Sequence, residues 1–305
     1  MDPFSYRGVI MVAQKMRATK RDVLAVIPKR DPDAHKGYYG KLLVVGGSSR
    51  FTGAPALVGM AALRSGVDLV TIAAPVEASK IISTFLPDLI TVKLPCHDLE
   101  PSVIPVLEEE FRRATAVVVG PGLGMMAATR DAVVELARRL RSYNPSLPVL
   151  FDADGLKAFA GERELCRGMP WLFTPHSREF EVLTGVDLVP DVTGRLEHVK
   201  TAAEWLGCTI LLKGHVDVIA SPKGEVKLNY TGNPGMTVGG TGDVLAGIVG
   251  TFLAQGAEPF QAAVAGAWVS GRAGDLCHKE KGYEFIASDM VEKIPDVFKE
   301  VRGSR

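Results

Sequence analysis

The segment Asn233 to Asp243 places Gly239, Gly240, Thr241 and Gly242 directly before an apolar helical run that begins near Val244. Consecutive free backbone amides at the positive end of a helix dipole make an anion site, and glycine lets the backbone close on phosphate oxygens. Asp243 is the anomaly there. A carboxylate repels an anionic ligand, so its position suits a general base acting on a hydroxyl that attacks phosphorus. The same residue is also explained as a favourable acid in a first helical turn. The glycines that precede it weigh towards chemistry.

Four further places have the same character, each directly after an apolar run: Gly46 to Gly53, Gly120 to Gly124, Asp152 to Gly155, and Thr174 to His176 with Glu179. Gly120 to Gly124 lets backbone approach a ligand closely, or makes an ordinary strand-to-helix turn. Asp152 is a candidate electrostatic group or ligand to metal-bound water, and Asp154 is read as the N-cap of a helix from Leu156 to Ala160 or as a second site carboxylate. Thr174 and Pro175 fit an N-cap followed by proline at the first helical position, which leaves His176 in the first turn, within reach of a ligand. Lys213 to Asp217 joins two strands, where backbone could frame a purine while Lys213 approaches phosphate; a plain polar hairpin loop is the other reading. His35, His97, His198 and His278 show no metal-ligand spacing and are read as surface residues.

These loops need a scaffold that gathers them. Short β-branched runs at Leu42 to Val45, Leu69 to Ala73, Ala116 to Val119, Val149 to Phe151 and Ile210 to Leu212 alternate with helix-period segments, among them Ala54 to Ser65. That alternation predicts an α/β fold, a mostly parallel sheet with helices on both faces. In such a sheet, ligands bind beyond the carboxyl ends of the strands, which is where the five loops fall. Val216 to Ala220 and Val226 to Asn229, joined by Ser221 to Gly224, predict an antiparallel hairpin. No repeat or linker divides the chain, so one domain over 17–305 is expected, after an N-terminal extension over 1–16.

Composition narrows the partners. In 305 residues, 35 basic side chains balance 35 acidic ones, so no net field favours nucleic acid or an anionic membrane surface. The 47% hydrophobic and 23% charged content suits a soluble globular protein with a small-molecule partner. Four scattered cysteines form no C-x-x-C pair and are read as reduced, mostly buried thiols, which fits a cytoplasmic setting. The apolar stretch Val244 to Gly271 is broken by Gln255, Glu258, Pro259 and Gln261, so buried helices are expected and no membrane span. The first 16 residues carry no apolar core and cleavage site of a secretory signal. No G-x-x-x-x-G-K-[ST] occurs, and Leu245 stands where G-x-G-x-x-G needs its last glycine, which disfavours a Walker-type ATPase and a standard Rossmann dehydrogenase.

A Gly-Thr-Gly-Asp that opens a helix late in an α/β chain resembles the ribokinase-like superfamily. Seven ordered blocks over about residues 17–295 narrow the likeness: His35 to Gly40, Gly46 to Ser48 with Thr52 to Pro55, Gly120 to Gly124, Asp152 to Gly155, Thr174 to Phe180, Leu212 to Gly214, and Asn233 to Asp243. Together they resemble the ADP- or ATP-dependent NAD(P)H-hydrate dehydratases. The resemblance implies a lyase of metabolite repair, which dehydrates the hydrated forms of NADH and NADPH at the expense of a nucleotide phosphoanhydride, with Mg2+ and with ADP favoured over ATP. It implies Asp243 as base, Gly239 to Gly242 as the phosphoryl anion hole, and Ala54, Gly122, His176 and Asp243 against the hydrated dinucleotide. It assigns Lys213, Gly214, His215, Val216, Asp217 and Gly242 to the nucleotide, with Asp152, Asp154 and Asn233 as further candidates and no protein-held metal cage. Symmetric homo-oligomers are expected, which glycine- and alanine-rich helices would help to pack. Many relatives carry an epimerase domain ahead of this region; none is expected here, and a separate epimerase is left open. The competing readings are a ribokinase-like kinase of a vitamin-precursor alcohol, such as hydroxyethylthiazole or hydroxymethylpyrimidine, and a silent nucleotide-binding protein.

Overall fold

The computed structural model describes residues 16–303, so residues 1–15 of the expected N-terminal extension lie outside the described residues. Among the described residues nine strands form one sheet: β1 (Lys41–Val45), β2 (Leu69–Pro75), β3 (Ile90–Leu94), β4 (Ala116–Val119), β5 (Val149–Phe151), β6 (Trp171–Phe173), β7 (Thr209–Leu212), β8 (Asp217–Ala220) and β9 (Val226–Asn229). Their order is β3-β2-β1-β4-β5-β6-β7-β8-β9. All neighbours from β3 to β7 pair parallel, and β7 to β9 pair antiparallel. The expected α/β architecture and the late hairpin are both present.

Strand residues alternate between two cores. Leu42, Val44, Val118 and Leu150 pack into one, and Leu43, Val45, Val117 and Phe151 into the other. Burial on both faces explains why these strands read as continuous apolar runs. The first core is covered by α2 (Gly53–Ser65), α9 (Thr241–Ala254), α10 (Pro259–Lys281) and α11 (Ala287–Arg302), counting α1 as Lys20–Val26. The helix α3 (Val76–Phe85) adds Ala78 and Ile82 to the first core, and the second lies under α5 (Ala127–Tyr143) and α8 (Val192–Leu206), with the shorter helices α4 (Glu108–Arg113), α6 (Ala153–Ala158) and α7 (Ser177–Thr184) completing it.

Several expectations need correction. The small residues of α9 and α10 do not face outward: a Cβ on Gly247 would strike the Val58 carbonyl of α2, and one on Gly266 would strike Val249. They let helices of this chain approach one another, so they carry no argument for an oligomer. His198 and His278 are half-buried, not surface residues; His278 stacks on Tyr283 with ring centroids 4.3 Å apart. The four cysteines are free thiols, and Cys166, Cys208 and Cys277 are buried. Among the described residues no helix is long and apolar enough to cross a membrane.

Candidate functional site

Three neighbouring strands deliver their next residues to one point. Asp152 follows β5, Thr174 follows β6 and Lys213 follows β7. Asp152 Oδ1 accepts hydrogen bonds from the Thr174 hydroxyl at 2.8 Å and from Lys213 Nζ at 2.9 Å. Asp152 is only 2% exposed, and a buried carboxylate persists as an ion only with such partners. Glu179 of α7 stands 3.8 Å from the same amine. Burial alone would push the Lys213 ammonium down, but the carboxylates of Asp152 and Glu179 more than offset it and hold the amine above its ordinary value. Lys213 is therefore a fixed cation at the strand ends.

Helix α9 opens opposite that cation. Gly240 is its N-cap, in a left-handed conformation at φ +95°, with no side-chain cap for the first-turn amides. A Cβ built on Gly242 would lie 3.6 Å from Lys213 Nζ, so the amine looks onto the helix start. The helix begins at Thr241, earlier than the expected Val244, which puts Asp243 inside the first turn. Burial, above all, and then the nearby Asp152 carboxylate raise the Asp243 carboxyl; Lys213 offsets part of this and Asp154 adds to it, leaving it pushed up to about 7. An aspartate poised near neutrality is matched to proton abstraction at physiological pH. Gly239 opens onto free space, while the Thr241 hydroxyl is engaged, donating to the Met236 carbonyl at 2.8 Å.

A cavity of about 530 Å³ adjoins this point, walled by His176, Lys213, Gly214, His215, Asp217, the turn Thr231 to Thr237 with Asn233, Gly242, and Ser270 and Gly271 of α10. Its size and mixed lining suit a nucleotide. The loop from Lys213 to Asp217 is pre-formed: Gly214 N donates to Asp217 Oδ1 at 2.9 Å and Asn229 Nδ2 to Asp217 Oδ2 at 3.0 Å. Burial raises the Asp217 carboxyl to about 6 against those hydrogen bonds. Asp217 is thus committed to its own loop, and the Val216 side chain is buried in the core, so Val216 offers a ligand only its backbone. Asn233 is similarly committed, with Oδ1 accepting from Gly235 N at 3.0 Å and Nδ2 donating to Asp275 at 3.3 Å.

The loops after β1 and β4 come from strands on the other side of β5 from β7, and neither lines that cavity. A Cβ on Gly122 would touch Phe51 at 3.1 Å and the Ala54 methyl at 3.4 Å, so Ala54 and Gly122 meet although far apart in sequence. Gly120 does not open towards a ligand: its missing Cβ lets it pack against the Asp152 carbonyl and Gly155 N. Asp154 ties this loop down, accepting from Gly124 N at 2.9 Å and from Lys157 Nζ at 2.8 Å.

Two cap assignments change. Pro175 O accepts from Lys213 N at 2.8 Å, which extends the strand pairing past β6, so α7 starts only at Ser177 with His176 as N-cap. His176 Nδ1 accepts from Glu179 N at 3.2 Å while Glu179 Oε2 accepts from His176 N at 3.0 Å. That reciprocal pair leaves Nδ1 unprotonated and the proton on Nε2. Likewise α6 begins at Ala153, so the N-cap position is Asp152 and Asp154 sits in the first turn. Ala153, at φ +48°, is the one non-glycine with positive φ among the described residues, strain of the kind that gathers at functional turns.

Glu179 stands in the expected place with Thr174 to His176 but without an expected role, and Arg195 and the α10 wall are not among the expected site residues. Glu179 had a signal in its capping-box spacing from His176. Arg195 packs against Gly214, its guanidinium lowered by burial and partly sustained by Asp217, and nothing local in the sequence marks it. Among the described residues no group of three or more His, Cys, Asp or Glu side chains is arranged to hold a metal.

A family model described as NAD(P)H-hydrate dehydratase matches residues 42–296. The chain is 42% identical over 270 residues to a bifunctional NAD(P)H-hydrate repair enzyme, Nnr, of Pyrobaculum aerophilum, with 88% of this chain and 52% of the relative covered. It spans about half the length of the curated relatives it matches. A solved ADP/ATP-dependent NAD(P)H-hydrate dehydratase from Bacillus subtilis, co-crystallised with ATP/Mg2+, superposes with a TM-score of 0.77 at 29% identity, covering 93% of this chain and 98% of that one. A ribokinase-like superfamily protein from Enterococcus faecalis gives a TM-score of 0.80 at 25% identity, covering 94% and 97%.

Proposed function

This chain belongs to the NAD(P)H-hydrate dehydratase family, and from that premise we propose that it restores NADH and NADPH from their hydrates at the expense of a nucleotide, with ADP favoured over ATP. The observation that carries the reading is Asp243, pushed up to about 7 in the first turn of a glycine-opened helix that faces the Lys213 ammonium. Asp243 removes the proton of the ring hydroxyl as its oxygen attacks the terminal phosphorus. The amides from Gly239 to Gly242 and the Lys213 charge stabilise the phosphoryl group in flight. Phosphate is a far better leaving group than hydroxide. The ring-nitrogen lone pair then expels it as the C–O bond breaks, and loss of a proton from the adjacent carbon restores the C=C bond. A kinase site therefore suffices for a dehydration.

Magnesium would neutralise charge on the transferring phosphates. Asp152 is occupied by Thr174 and Lys213, and Asp154 by Gly124 and Lys157. These residues fit an ion carried by the nucleotide's own phosphates and waters, the usual habit of magnesium, better than one caged by protein. Ala54, Gly122 and His176 contact the dinucleotide, and the backbone from Lys213 to Asp217 frames the nucleotide. The free thiols support a reducing, cytoplasmic setting. The bifunctional relatives support a hydrate epimerase as a working partner; that partner and a homo-oligomeric assembly remain part of this proposal.

The test is incubation with hydrated NADH or NADPH, magnesium and either ADP or ATP, followed by return of the dihydronicotinamide absorbance. Recovery faster with ADP is expected; a stable phosphoester without recovery would convert the assignment to an alcohol kinase. Lys213→Ala is expected to raise the nucleotide KM about tenfold or more, the worth of a charge-assisted phosphate contact. An unchanged nucleotide KM would remove Lys213 from that role.

A further inference from the structure

The loops 46–53 and 120–126 follow β1 and β4, which lie on the other side of β5 from β7 in the sheet, and neither loop lines the nucleotide cavity. Arg50 is the single charged side chain in the two loops. It is exposed, has no ion-pair partner among the described residues, and lies over the Phe51 ring at 5.1 Å from the centroid. Phe51 is itself 43% exposed, which leaves part of it open to a ligand. The pair is held, not free-swinging. Ser48 N donates to Phe51 O at 3.1 Å and Phe51 N to Ser48 Oγ at 3.2 Å, while Ser49 N is fixed on Asp98 Oδ1 at 2.9 Å.

This tip is linked to the chemistry through the packing already described. Phe51 lies against Gly122, the Gly122 loop is tied to Asp154, and Asp154 acts on the Asp243 carboxyl. A substrate whose hydroxyl sits at Asp243 meets the phosphoryl donor in the cavity that His176 walls, and its remainder extends towards the loops around Ala54 and Gly122. There it meets an exposed aromatic face and one unpaired guanidinium. A pyridine dinucleotide offers the complement, flat rings joined by a pyrophosphate, and guanidinium is the side chain best matched to phosphate oxygens.

We propose that Arg50 and Phe51 form the subsite for the body of the hydrated dinucleotide, with Arg50 paired to its bridging pyrophosphate and Phe51 stacked on a neighbouring ring. The assignment rests on the function proposed above and adds residues for its substrate specificity. The pyrophosphate is common to the NADH and NADPH forms, so both hydrates lose affinity together when Arg50 is replaced.

The test compares wild type, Arg50→Met, Phe51→Leu and Phe51→Tyr in two measurements: steady-state kinetics with each hydrate, and equilibrium titration with NADH and NADPH, which needs no turnover. Arg50→Met is expected to raise KM for both hydrates, and Kd for both reduced coenzymes, roughly tenfold or more, with the nucleotide KM unchanged. Phe51→Leu is expected to weaken the same affinities several-fold and Phe51→Tyr to restore them, which a merely structural role for the ring would not require. Unchanged dinucleotide KM and Kd in Arg50→Met overturn the subsite while leaving a dehydratase intact. An effect confined to the NADPH forms moves Arg50 to the 2′-phosphate and overturns the pyrophosphate pairing. A wild type that binds NADPH, with the predicted loss in Arg50→Met, but restores neither hydrate would overturn the function and leave the subsite standing.

Discussion

Asp243→Asn is expected to lower turnover roughly 10²- to 10⁴-fold, the usual worth of a positioned general base, while nucleotide binding survives. It is also expected to make the protein more stable. The carboxyl ionises near its ordinary 3.8 in an unfolded chain but only at about 7 in the fold. Between those values the native state holds a proton that the unfolded state has released, so stability falls as pH rises through the interval, and the full cost is present above it. Asparagine carries no such charge, so the variant's gain grows from about pH 4 to about pH 7 and then levels, reaching on the order of 4 kcal/mol. Denaturant melts at pH 5 and pH 8 read the gain, and a thermal shift with ADP reads the retained binding. Wild-type kcat/KM should fall on the acid side of about pH 7, and the variant's residual rate should lack that limb. A variant that keeps the wild-type rate, or that is equally destabilised at both pH values, would remove Asp243 from the role of base.

Such a trade of stability for a poised acid requires groups that no local pattern reveals. Asp243 and its glycines lie together in the sequence, and helix-start physics reads them directly. The carboxylate beside them, Asp152, and the amine that holds it, Lys213, lie 61 residues apart and meet because β5, β6 and β7 are adjacent in the sheet. Helix starts misled for a related reason. Thr174 and Pro175 have the form of an N-cap and first turn, but pairing with Lys213 competes for the Pro175 carbonyl and delays the helix to Ser177. The strand Ile90–Leu94 mixes threonine and lysine among its apolar residues because it is an edge strand with Ile90 and Lys93 exposed, and Trp171–Phe173 is too short for periodicity to register. Arg195 and the α10 wall are site residues only through long-range packing.

The glycines from Gly120 to Gly124 separate the two demands that a glycine-rich loop can serve. All three have positive φ, at +129°, +71° and +80° for Gly120, Gly122 and Gly124. A Cβ on Gly124 would meet nothing within 4 Å, so Gly124→Ala carries only the left-handed backbone penalty, about 1–2 kcal/mol. A Cβ on Gly120 would fall inside the Asp152 carbonyl and 2.7 Å from Gly155 N, which are backbone atoms of a strand-end turn that cannot swing aside. Gly120→Ala is therefore expected to cost more than about 4 kcal/mol, or to yield no folded protein, because strain and overpacking add. Urea melts of the two variants, with circular dichroism for the folded fraction, compare them directly. Equal costs would mean that the close approach of the β4 and β5 ends is dispensable. The contact matters to chemistry because it sets where Asp152 and Asp154 stand, and their carboxylates help to hold Asp243 near neutrality. A partial loosening at Gly120 would then shift the acid limb of the pH profile towards lower pH as those carboxylates recede, before it unfolds the chain.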